Sequence, residues 1–300
     1  MWRHGLALSG LAAVAGCSFP SSSGGNDAVT RDAANGVDAR TADARPIDAP
    51  EVTPIDAPPP PQRTRRGLVL RYDFNELGAG DTIADVSGVG TPANLRVGPL
   101  PVDSVLPTVD GMALTTTTPN VLVDVANSDA AAKIANACTN GEFSIEIWAK
   151  QRPGSASYGR LFSIGSTADL GLRNAQVGTT FQDATASFLR TTASTTSGQE
   201  VDIATAVDAT QKQLFVMRYG GGKLVADVFT GTARKTESVS LTGNFSSWAA
   251  YKLVLLNSNR HFNNNDARYW LGSIYSMSVY CSTLTELELE NDRLLGSESL

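Results

Sequence analysis

From residue 67 onward the chain is built on alternation of apolar and polar positions, the period-two signature of strands that bury one face. "GLVLRYDF" (67–74) sets Leu68, Leu70, Tyr72 and Phe74 on one side. "FSIEIWAK" (143–150) sets Phe143, Ile145, Ile147 and Ala149 on one side and Ser144, Glu146, Trp148 and Lys150 on the other. "KQLFVMRY" (212–219), "GKLVADVF" (222–229), "YKLVLLN" (251–257) and "WLGSIYSMSVY" (270–280) predict further strands, separated by Gly-, Asn- and Ser-rich turns. "YGGGK" (219–223) predicts a hairpin turn, because glycine enters positive φ without steric cost. Only two segments read as helices. One is "NSDAAAKIANAC" (127–138). The other is "TELELENDRLLG" (285–296), with Thr285 at the cap, Glu288 three residues on and Gly296 as a stop. Many short strands without alternating long helices predict an all-β sandwich or jelly roll of antiparallel sheets, with one or two short helices.

Residues 1–66 follow no such pattern. A short polar start with Arg3 leads into an apolar or small run, Gly5 to Gly16, too short to span a bilayer. That run ends in "LAAVAGC" (11–17), which resembles the bacterial lipobox, where the chain is cut just before a diacylated cysteine. The resemblance implies a lipoprotein signal peptide over 1–16 and lipidation of Cys17, an anchor in membrane lipid. Ser18 follows the cysteine where inner-membrane lipoproteins of this kind carry Asp, so an exported, outer-membrane lipoprotein of the cell envelope is expected. Ordinary secretion, with Cys17 discarded or left free, is the alternative. Residues 17–66 are rich in Asp, Ala and Pro, with Asp-Ala recurring irregularly and "IDAPPPPQ" near the end. Such a segment buries too little apolar surface to offset chain entropy and reads as a disordered tether. At about 3.1 Å per residue in extended form it reaches on the order of 150 Å.

Within residues 67–300, "LVLRYDFNELGAGDTIADVSGVGTPANL" (68–95), "GEFSIEIWAK" (141–150) and "RYWLGSIYSMSVYCSTLTELELEND" (268–292) resemble the opening, a central strand and the closing strand with helix of bacterial laminin-G-like domains. These belong to the concanavalin A-like lectin/glucanase superfamily. "GRLFSIGS", "LRNAQVG" and "ASFLRTT" fit between them in order. The resemblance implies a concanavalin A-like jelly roll of two curved antiparallel sheets, in a superfamily of carbohydrate binders, adhesion modules and some hydrolases. Fold alone does not choose among these.

Composition narrows the chemistry. The net charge is −6, and "RTRR" (63–66) is the sole basic block, so nucleic acid is not an expected partner. With Cys17 lipidated, Cys138 and Cys281 remain, an even pair in an oxidising compartment. A disulfide between them is expected, with two free thiols as the alternative. The mature chain keeps one histidine, His261, which argues against a His-rich zinc site. Laminarinase-like relatives carry acids at alternate positions of one strand. Here the row reads Glu142, Ser144, Glu146, so a glycosidase using Glu142 and Glu146 stands as an alternative in which the middle acid is missing. The laminin-G resemblance implies calcium as the cofactor, near Asp85 of the "DVSG" loop. Tyr275 stands where members carry a further acid, and Asp85 as a turn-capping residue is the competing reading. For a sugar platform the candidates are Trp148, Trp248, Trp270 and Tyr269, with core packing expected for Trp270.

The expected function is a non-enzymatic module that binds a carbohydrate or cell-surface ligand. Its contacts would come from Glu146 and Trp148 on one strand face, with His261, Asn263, Asn264 and Asp266 of the 257–266 loop at the rim. A protein-binding adhesion module is the other alternative. Replacing Cys17 with alanine is expected to abolish acylation and move the protein from the detergent to the aqueous phase on Triton partition. Unchanged partition refutes the anchor.

Overall fold

Residues 143–151 form the strand on which the architecture is organised. The computed structural model describes residues 61–75, 82–98, 105–108, 111–114, 121–124, 130–153, 158–165, 173–180, 184–189, 198–256 and 270–297, all within one unit, Pro58–Leu300. The lipobox, Cys17 and tether residues 17–60 lie outside them.

In chain order the strands are β1 (Leu68–Asp73), β2 (Thr82–Ile83), β3 (Leu95–Gly98), β4 (Val105–Thr108), β5 (Gly111–Leu114) and β6 (Val121–Asp124). Helix α1 (Ala130–Ala137) follows, then β7 (Phe143–Gln151), β8 (Tyr158–Gly165), β9 (Arg173–Thr180), β10 (Ala184–Leu189) and β11 (Gln199–Ile203). The chain continues through β12 (Gln213–Gly220), β13 (Lys223–Thr230), β14 (Ala233–Ser240), a 3-10 turn (Ser246–Ala250), β15 (Lys252–Leu255), β16 (Gly272–Tyr280) and helix α2 (Glu286–Leu295). Among the described residues these strands make two antiparallel sheets of eight. One runs β14-β13-β12-β7-β16-β5-β4, with β1 also paired to β16; the other runs β11-β10-β9-β8-β15-β6-β3-β2. This is the predicted all-β antiparallel sandwich.

The predicted apolar stripe of β7 forms the centre of the core. Phe143, Ile145, Ile147 and Ala149 share one cluster with Phe215 and Met217 of β12 and with Phe162, Ile164, Leu253 and Leu255 of the second sheet. At one end Phe143, Phe245 and Trp248 stack at centroid distances of 5.7, 4.7 and 5.3 Å. The β12–β13 turn places Gly221 and Gly222 at φ 58° and 74°, and Gly220 pairs with Lys223 across it. Both central residues at positive φ are what a two-residue turn between right-twisted strands demands.

Antiparallel sheets commonly leave one face to solvent. Here the outer face of the first sheet is covered as well. Leu68, Trp148, Leu214, Val216, Phe229, Tyr275 and Tyr280 pack there with Leu284 and with Leu289 of α2. Helix α2 starts as its sequence predicts. The Thr285 hydroxyl accepts from the Glu288 amide, and the Glu288 carboxylate accepts from the Thr285 amide at 2.8 Å. Its first turn is held by ions. Buried Asp227 of β13 binds Arg218 of β12 at 2.9 Å and Arg234 of β14 at 2.7 Å. Both arginines reach on to Glu286 of α2.

Cys138, just past α1, is bonded to Cys281, just past β16, with Cα atoms 4.6 Å apart. The predicted disulfide is therefore present, and it fixes the point where the chain leaves β16 for α2. In the chain-entropy account a loop of 143 residues contributes on the order of 5 kcal/mol.

The basic tetrad, read in the sequence as the end of the tether, belongs to the edge of the domain. Arg63 donates to the Gly296 carbonyl at 2.6 Å and the Thr64 amide to Asp292 Oδ1 at 3.0 Å. Arg66 grips Glu288 through two bonds of 2.8 and 2.7 Å. These bonds lay residues 63–66 along α2 as a strap. Trypsin is accordingly expected to cut the tether after Arg31 or Arg40 and to spare Arg63, Arg65 and Arg66, giving a stable fragment that retains the tetrad. Mass spectrometry showing rapid cleavage after Arg66 would disprove the strap.

Candidate functional site

The row Glu142, Ser144, Glu146 faces outward on β7, as alternation requires, but it faces the C-terminal segment and not a groove. Glu142 Oε2 accepts from the Thr283 amide at 3.1 Å. Ser144 Oγ donates to the Ser282 carbonyl at 2.7 Å and accepts from the Leu284 amide at 3.1 Å. Glu146 Oε2 accepts from the Tyr280 hydroxyl at 3.0 Å. Three alternate side chains thus latch three residues of the connection that carries α2 and Tyr280 at the end of β16. The glucanase-like pattern is a docking row, and its two carboxylates do not converge on an open cleft.

Glu146 and Trp148, expected as ligand contacts, are covered. Glu146 is 3 % exposed and Trp148 9 %. Beneath α2, Glu146 meets Asp292, which is fully buried. Glu146 Oε1 and Asp292 Oδ2 have no N–H or O–H donor other than each other's carboxyl among the described residues. Burial, then the Asp292 charge, pushes Glu146 up to about 8, against the opposing hydrogen bond from Tyr280. Asp292 is also raised, chiefly by burial, while the Thr64 amide and the charges of Arg63 and Arg71 act against this. Burial and the neighbouring Asp292 charge thus favour the protonated form of Glu146, which can donate to Asp292. Arg71, itself buried, pairs with Asp73 at 2.7 Å and donates to Ser278 Oγ at 2.9 Å on the same face.

Asp85 realises the turn-capping reading. Oδ1 accepts from the amides of Arg71 and Ser87 at 3.3 and 3.0 Å. Oδ2 accepts from the Ala93 amide at 3.1 Å and from Lys133 of α1 at 2.6 Å. Calcium takes six to eight oxygen ligands, and here three amides and an ammonium fill the carboxylate while placing a positive charge where the ion would sit. Asp85 therefore does not fit the calcium role. No cluster of three or more His, Cys, Asp or Glu side chains suited to a metal occurs among the described residues. Trp248 and Trp270 are fully buried in the core, so neither is a sugar platform; core packing of Trp270 was expected. Tyr269, His261, Asn263, Asn264 and Asp266 lie outside the described residues.

Among the described residues, open mouths include one of about 460 Å³ beside α1, lined mainly by apolar and small residues with Lys133 and Asn136, and one of about 320 Å³ where β7 ends and β16 begins, lined by Lys150, Gln151, Arg152, Ser273 and Tyr275 among others. The shape of the second has local causes. Lys150 pairs with Ser273 and Gln151 with Gly272, and a Cβ on Gly272 would lie 2.2 Å from the Lys150 carbonyl oxygen, so only glycine permits this approach. A register shift between Ile274 and Ser276 marks a bulge at Tyr275, the kind of irregularity that re-aims a side chain. The Lys212 ammonium sits 4.0 Å above the Tyr275 ring and donates to Ser297 Oγ at 3.0 Å. Gln151 is 3 % exposed, and its Oε1 meets no donor among the described residues. Sequence reasoning passed over Lys150, Gln151, Arg152 and Lys212. The one local signal was "KQRP" closing a strong strand with two cations before a proline.

No protein-family model matches the chain, and no curated protein matches it. Among solved structures, the CBM40 of the Ruminococcus gnavus IT-sialidase bound to α2,3-sialyllactose is 17% identical, with 55% of this chain and 91% of that one covered, at a TM-score of 0.42. The binding domain of botulinum neurotoxin DC in complex with SialylT is 11% identical over 75% of this chain and 50% of that one, at 0.48. The NanB sialidase of Streptococcus pneumoniae, as its K499G mutant, is 13% identical over 54% of this chain and 25% of that one, at 0.43. This chain thus spans half of the neurotoxin chain and a quarter of the sialidase.

The buried pair has a measurable sign. A carboxyl whose folded pKa lies above its unfolded value of about 4.3 binds more protons in the native state. Between roughly pH 4.3 and 8, Glu146 therefore lowers stability as pH rises, at no more than about 1.4 kcal/mol per pH unit. Urea unfolding of Glu146→Gln at pH 5, 7 and 9 is expected to show a flatter alkaline decline than the parent and higher stability at pH 9. An unchanged slope would assign the decline elsewhere.

Proposed function

We propose that this chain is an exported lipoprotein, held in the outer membrane by acylated Cys17, whose β-sandwich binds a glycan without transforming it. The observation that carries the reading is the mouth between β7 and β16. Binding sites for small polar ligands combine apolar or aromatic surface with a few placed polar groups. Lys150, Arg152 and Ser273 provide donors and acceptors at the open edge, and Tyr275, largely buried in the outer apolar cluster, offers only the rim of its ring. The acidic row that a glycosidase would need is occupied in holding α2, which favours binding over hydrolysis. The tether then presents the sandwich, at a distance, to saccharide at the cell envelope or surface.

The detergent-solubilised full-length lipoprotein, probed on a glycan array, is expected to bind a restricted set of saccharides and to release no reducing sugar from them. Reducing-sugar release from a bound β-glucan would turn the reading to a hydrolase. A blank array together with saturable binding to purified laminin, collagen or fibronectin would turn it to a protein-binding adhesion module.

A further inference from the structure

Charge at the mouth runs against that of the molecule. The chain carries a net −6. At the mouth three cations gather from two stretches of sequence. Lys150 and Arg152 stand on its wall, and Lys212 lies over the ring of Tyr275, another wall residue. The Lys150 ammonium makes no hydrogen bond to a described residue. Asp208 lies within electrostatic range of Lys150 and also holds its own turn. It accepts from the Thr210 amide at 2.9 Å, the Thr210 hydroxyl at 2.6 Å and Gln211 Nε2 at 2.8 Å.

We infer that this mouth selects an acidic saccharide, seating a carboxylate or sulfate between Lys150 and Arg152 while the sugar lies toward Tyr275. The inference rests on the reading of the mouth as a glycan site and adds the class of glycan. The chemistry follows from the wall. Arginine offers a planar fork that matches the two oxygens of a carboxylate or sulfate, and lysine adds a mobile point charge. Gln151 adds a buried acceptor whose unmet hydrogen bond suits a donor such as a sugar hydroxyl. The charges sit at the exposed end of the sandwich, so the attraction is partly screened by salt.

The test compares sugars that differ in charge alone. Titration calorimetry of the full-length protein uses oligogalacturonate against its fully methyl-esterified form, and dextran sulfate oligomers against dextran oligomers. The acidic member of at least one pair is expected to bind ten or more times tighter than its neutral twin, and to weaken between 50 and 300 mM NaCl. Lys150→Ala and Arg152→Ala should each weaken it threefold or more. Lys223→Ala removes the same charge from the hairpin at the opposite end of the same sheet and should leave binding unchanged. Equal binding of the twins would overturn the inference and leave glycan binding standing. Loss of affinity in Lys223→Ala as large as in Lys150→Ala would reduce the effect to overall charge and overturn the site. Failure of all four sugars to bind would overturn the inference, and an array blank for neutral and acidic glycans alike would overturn the glycan reading as well.

Discussion

The closure of the outer face of the first sheet by helix α2 is the constraint on which the other features depend. β7 buries apolar side chains inward, as any sandwich strand does, and buries Glu146 and Trp148 outward as well. A strand sealed on both faces needs a cover that cannot drift. The cover here is a ten-residue helix, whose own stability in isolation would be marginal. Its position therefore comes from docking: Leu289 in the outer apolar cluster, Glu286 in the ion network around Asp227, and the connection before it latched to the docking row.

The disulfide and the strap act on the same element from its two ends. Cys281 opens the connection to α2, and its bond to Cys138 fixes that point relative to α1. Residues 63–66 lie along the helix itself, with Glu288 gripped by Arg66 and held down to about 2, first by that hydrogen bond. One carboxylate thus completes the capping box and anchors the strap. Residues 63–66 and helix α2 are therefore mutually supporting.

With the acidic row occupied and the tryptophans covered, one set of polar groups still facing outward lies at the β7–β16 edge. There a glycine permits close backbone approach and a bulge turns Tyr275 toward Lys212. Binding residues set at the ends of rigid elements are held in place by the sheet while staying open to solvent.

Much of the fold was legible in the chain. Period-two alternation identified β1, β7, β12, β13 and β16, two glycines marked the β12–β13 turn, and the Thr285–Glu288 box marked the start of α2, because each depends on residues adjacent in sequence. The pairing of Cys138 with Cys281 followed from counting once Cys17 was assigned to lipid. Alternation also divided β7 correctly into two faces, but it reports a period and is blind to what covers the second one. Acids at alternate positions suit a strand lining an open groove as well as a latch beneath a helix, and here Glu142 and Glu146 form the latch. Asp85 was ambiguous for a similar reason, since its four donors come from β1, two turns and α1. The cations of the mouth, at 150, 152 and 212, are brought to Tyr275 only by strand pairing. Local order along the chain determined the elements. Which polar residues are sealed and which stay open was decided by the docking of α2, a long-range contact that sequence spacing does not encode.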